Sequence, residues 1–199
     1  MSTDFEIKIL NLWWLDTKLG KPDSGHDLCV HGELFIKIGD EVLTNGEEGW
    51  TISAAVFFLL RTLFVDYHHD FENELIPDCG HTMWPDGKRG VMVLGCPNGL
   101  NWTIEHQGNN VKHTTENGSV AVISEEDYID MILRLADQVE DFYEKHPRIL
   151  PEDKHNLEGY HRFWENWQML KSKAEKRKKR CSIKKSLRAF GSIIMLKKR

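Results

Sequence analysis

The chain has 199 residues, 40% hydrophobic and 29% charged, the balance of a soluble globular protein with room for one substantial core. Its net charge of −5 conceals a division: residues 171–199 hold 13 Lys or Arg against Glu175 alone, net +12, which leaves −17 on residues 1–170. A body so acidic disfavours nucleic acid, whose phosphates need Lys and Arg. It suits a basic protein partner, or simply solubility.

The opening MSTDFEIKIL has no basic region followed by an apolar run, so no export signal is expected. Together with four scattered cysteines, Cys29, Cys79, Cys96 and Cys181, this predicts free thiols and a cytoplasmic protein. The first two strands are expected in FEIKILNLWWL, with Phe5, Ile7 and Ile9 on one face, and in GELFIKIGDEVL, with Leu34, Ile36 and Ile38 on one face. The breaker-rich DTKLGKPDSGHD between them reads as a loop.

Residues 52–68 are expected to form a helix, capped by Thr51 or Ser53 and apolar almost all round. Its most apolar run, Ile52 to Val65, is 14 residues long and contains Arg61, too short to span a bilayer. Four strands then follow as an antiparallel meander: GVMVLGC, LNWTIEH, VKHTT and SVAVIS. Asn98-Gly99 and Asn117-Gly118 supply its hairpin turns, since both residue types tolerate positive φ.

Ser124 and the acids Glu125 to Asp127 open a second long helix, with Ile129, Ile132, Leu133, Ala136, Val139 and Tyr143 as its inward stripe. HPRILPED ends it. A last helix from about Asn156 presents Tyr160, Phe163, Trp164, Trp167 and Leu170 on one side. The expected fold is therefore α+β, an antiparallel meander packed on about three helices. The expected organisation is a single domain over 1–170 and a basic tail over 171–199. In that tail Ile183, Leu187, Phe190 and Ile194 recur near helical spacing, a pattern suited to an anionic membrane surface, a nucleic acid or a partner, or to a frayed extension.

One stretch, Ile76 to His106, gathers reactive residue types. Cys79, His81 and Cys96 are candidate zinc ligands, with His68, His69 or His106 as a fourth. The cysteines lack C-x-x-C spacing, however, and no second close pair accompanies Cys79-Gly80-His81. A Cys–His nucleophile, with Asp78 or Glu105 orienting the imidazole, is the corresponding enzyme reading. The acidic run Asp70 to Glu74 offers paired carboxylates, though such loop acids are usually solvated. Serine-hydrolase, zincin and phosphate-loop motifs are absent from the sequence. Trp84 in TMWPDGKRG, a turn-forming segment flanked by Asp78 and Asp86, reads either as an exposed partner anchor rimmed by acids or as a cover for the sheet edge or the apolar helix.

The helix WTISAAVFFLLRTLF, the stretch CGHTMWPDG to VLGCPNGLNW, and the closing ADQVEDFYEKHP and GYHRFWENW together resemble bacterial immunity proteins of polymorphic toxin systems over residues 5–170. That resemblance implies an α+β protein that neutralises a cognate toxin by direct binding, without chemistry and without a cofactor. The competing expectation is a zinc protein or enzyme centred on Cys79, His81 and Cys96.

Overall fold

The computed structural model describes residues 5–69, 74–78, 82–95 and 97–196, with side chains described as far as residue 180. It opens with β1 (Phe5–Trp13), the single turn α1 (Leu15–Lys18), β2 (His31–Ile38) and β3 (Glu41–Thr51), which form an antiparallel sheet in the order β1-β2-β3. Burial alternates along β2 residue by residue, so Leu34, Ile36 and Ile38 reach the core, joined by Phe5 and Ile7 of β1. The chain turns from Thr51 straight into α2 (Ile52–Thr62). Thr51 stands at the N-cap position without a side-chain cap bond, and its hydroxyl donates instead to the Asp78 carbonyl at 3.5 Å. Apart from Arg61, α2 is buried throughout. The helix ends earlier than its apolar run suggests, because Tyr67 leaves it to exchange both backbone hydrogen bonds with Ile104, at 2.8 and 2.9 Å.

Next come the short strands β4 (Ile76–Pro77), β5 (Thr82–Asp86), β6 (Gly90–Leu94) and β7 (Gly99–Leu100), then β8 (Thr103–Gln107), β9 (Asn110–Thr114) and β10 (Val120–Ser124). Only β8, β9 and β10 form the expected meander. GVMVL pairs backwards with β5, and Gly99 lies opposite Pro77 of β4, so Asn98-Gly99 is a strand junction and not a hairpin turn. Asn117-Gly118 does turn the chain, with Gly118 at φ +85° donating to the Thr115 carbonyl. Ser119 in that turn joins the two larger sheets: its hydroxyl donates to the Ile38 carbonyl and accepts from the Asp40 amide.

Two helices close the fold, α3 (Glu125–Lys145) and α4 (Lys154–Leu196). Ser124 caps α3 by accepting from the Asp127 amide at 3.1 Å, and the three acids of the first turn complement the helix dipole. The inward stripe from Ile129 to Val139 is buried, as are Tyr160, Phe163 and Trp167 of α4. The result is an α+β fold with antiparallel sheets against four helices among the described residues. No described helix is long and apolar enough to cross a membrane.

The helix α4 continues through residue 171 without a break. From there Lys171 pairs with Asp137 and Glu140, Lys178 with Asp130, and Arg177 with Glu125, while Ala174 is fully buried. Arg177 also donates to the Leu63 carbonyl at the end of α2, at 2.6 Å. The first basic turns of 171–199 thus neutralise the acidic flank of α3.

A second polar joint ties the long β1–β2 connection to the segment between α3 and α4. Arg148 forks onto Asp23 at 2.9 and 2.5 Å, donates through Nε to the His146 carbonyl, and lies 3.7 Å over the Trp14 ring. Those hydrogen bonds hold the Asp23 carboxyl down at about 2. Lysine keeps the charge but can neither fork nor stack. Arg148→Lys is expected to cost about 2 kcal/mol, the size of a hydrogen bond to a charged group. Chemical denaturation followed by tryptophan fluorescence tests this, and an unchanged midpoint would refute it.

Candidate functional site

Trp84 and Asp86 lie on β5, which pairs with β6 as a two-stranded ribbon. The five cross-strand pairs run from Thr82↔Leu94 to Asp86↔Gly90, so Trp84 sits directly opposite Met92. Alternation sends Met83, Val91 and Val93 inward and leaves Trp84 43% and Met92 42% exposed on the outer face. Asp86, exposed and two residues beyond Trp84, shares that face. The TMWPDGKRG segment is therefore mostly strand, with its turn confined to residues 87–89.

The ribbon is held by α4. Arg162 donates to the carbonyls of Gly87 and Gly90, at 2.8 and 3.4 Å, and Asn166 donates to that of Arg89 at 2.8 Å. Gly159 lets the helix approach so closely that a β-carbon there would stand 1.7 Å from the Met83 carbonyl oxygen. The Trp84 ring meets the ring of His155, 5.9 Å between centroids. An exposed aromatic on a rigid, helix-backed ribbon loses little conformational entropy when a partner covers it.

Asp78 is exposed at the end of β4, in a different ladder from Trp84, with its amide donating to the Asn98 carbonyl. Cys79, His81 and Cys96 lie outside the described residues. Of their proposed companions, His106 donates from Nε2 to the Thr62 carbonyl at 2.8 Å, and His69 stands 3.6 Å from Glu74. Glu105 pairs with Lys112 at 3.3 Å. Among the described residues no three His, Cys, Asp or Glu side chains are grouped to hold a metal ion. The described Cys29 is buried, and burial followed by the charge of Asp27 pushes its thiol pKa up, the reverse of what a nucleophile requires.

His113 is fully buried on β9. Its Nδ1 accepts from the Trp102 indole N–H at 3.0 Å, and its ring stacks on Phe5 with centroids 3.9 Å apart. Because Nδ1 accepts, the neutral ring carries its proton on Nε2. Burial, then the nearby His106, pulls the His113 pKa down to about 3. The inward alternation of Val111 and His113 on a short strand was the available sequence signal. Arg162, Asn166 and Gly159 carried none, since each acts on a backbone distant in the chain.

Compared with protein-family models, with curated proteins and with solved structures, the chain matches none.

Proposed function

We propose that this is a non-enzymatic binding protein that engages a protein partner through the outer face of the β5–β6 ribbon. The resemblance noted in its sequence suggests a cognate toxin domain, neutralised by direct binding. The exposure of Trp84 opposite Met92 carries this reading. Tryptophan is enriched among residues that dominate binding energy, and Asp86 gives the aromatic centre a polar, acidic margin. The excess negative charge of residues 1–170 favours a basic partner.

Trp84→Ala is expected to leave stability within about 0.5 kcal/mol, as for surface positions, and to weaken binding by about 30-fold or more. Affinity capture from the native host with each form, followed by titration of the recovered partner, makes the measurement. Equal capture by both forms would overturn the assignment of the surface. Zinc content of the purified protein addresses the competing reading: stoichiometric zinc that disappears in Cys79→Ala would replace a binding role with a metal centre at Cys79, His81 and Cys96.

A further inference from the structure

Among the described residues β1 is terminal in its sheet, paired with β2 alone. Along its other side runs a groove of about 500 Å³, lined by six consecutive β1 residues, Phe5 to Leu10, and walled by Met131, Arg134, Leu135 and Gln138 of α3. Six strand residues span about 20 Å. A run of consecutive residues, instead of every second one, means that the strand presents its edge to the groove. An unpaired edge offers backbone donors and acceptors to an added strand.

The wall supplies the chemistry. Lys8 and Glu6 pair with each other, so they cancel. Arg134 is exposed and has no ion pair among the described residues. It leaves the lining with a net positive charge on a body that is otherwise strongly negative. Met131 and the exposed Leu10 provide apolar contact on either side.

We propose that the β1–α3 groove takes an extended acidic segment of another protein, added to β1 as an antiparallel or parallel strand with a carboxylate on Arg134. Strand addition of this kind takes affinity from main-chain hydrogen bonds and selectivity from the flanking side chains. This surface is separate from the ribbon that carries Trp84, so the two assignments succeed or fail independently.

The probes are a fluorescein-labelled (Val-Glu)₃ peptide, its (Val-Lys)₃ counterpart, and (Val-Glu)₃ with alternate amides N-methylated. Fluorescence polarisation is expected to show binding of the first alone. Arg134→Glu should weaken that binding by at least tenfold, while Trp84→Ala leaves it unchanged. Hydrogen exchange should slow at alternate amides within residues 5–10. Absence of (Val-Glu)₃ binding, equal binding by Arg134→Glu, or equal binding of the N-methylated peptide would each overturn the proposal. So would a dimer in sedimentation equilibrium with exchange protection at the same amides, since it assigns the edge to a second copy.

Discussion

Gly159→Ala should destabilise the protein by about 3 kcal/mol, the upper part of the usual range for overpacking a well-filled site. In an isolated helix the same change stabilises by about 0.5–1 kcal/mol, because alanine is the better helix former. The sign is therefore diagnostic. Here the new methyl would fall 1.7 Å from the Met83 carbonyl oxygen and 2.5 Å from its carbon, so it meets backbone that has no rotamer with which to yield. Either β5 or α4 must move, which also strains the Arg162 and Asn166 hydrogen bonds to the ribbon turn. Urea denaturation measures the effect. A midpoint equal to or above that of the parent chain would show that helix and ribbon are not in the contact described.

Acidification provides the second large effect. A second proton on His113 has to go to Nδ1, where it displaces the indole N–H of Trp102 and leaves a cation among Phe5, Trp102 and Tyr128. The folded pKa of about 3 lies below the value near 6.5 of an unfolded histidine. Unfolded chains therefore bind the proton first. The contribution is fully present above about pH 6.5 and is lost progressively as pH falls toward 3, at about 1.4 kcal/mol per pH unit. His113→Asn retains an acceptor but cannot titrate. It should be less stable at pH 7 yet lose less stability between pH 7 and 5. Parallel losses in the two proteins would remove His113 as the cause.

The parts of this fold that were legible in the sequence are those whose instructions are local. Asn117-Gly118 fixes a turn by its own φ preference, Ser124 caps the helix it begins, and the stripe from Ile129 to Val139 reports the face it buries. Asn98-Gly99 departs from its turn preference for a physical reason. The same dipeptide also serves a strand that passes close to another backbone, and its partner Pro77 lies some twenty residues earlier. Hydrophobicity extends past Thr62 and predicts a longer α2, whereas the pairing of Tyr67 with Ile104 is a long-range fact. Trp84 stands in a segment whose residues favour a turn. It is exposed for a different reason, the alternation of a strand whose Met83 turns inward. Asp86 joins it on that face, while Asp78 belongs to another ladder.

The uninterrupted course of α4 has a further consequence. Its 43 residues make a rod of about 65 Å, gripped by the body through Lys178. Whatever follows is presented at a set azimuth, as a pointer on a shaft. Inserting one residue just after position 180 would swing every later position by about 100° and advance it by about 1.5 Å, without touching a single described contact of the body. Four residues would bring it back to within about 40° of the original bearing, so a series of one to four insertions turns the direction of residues 181–196 into a dial set independently of the fold.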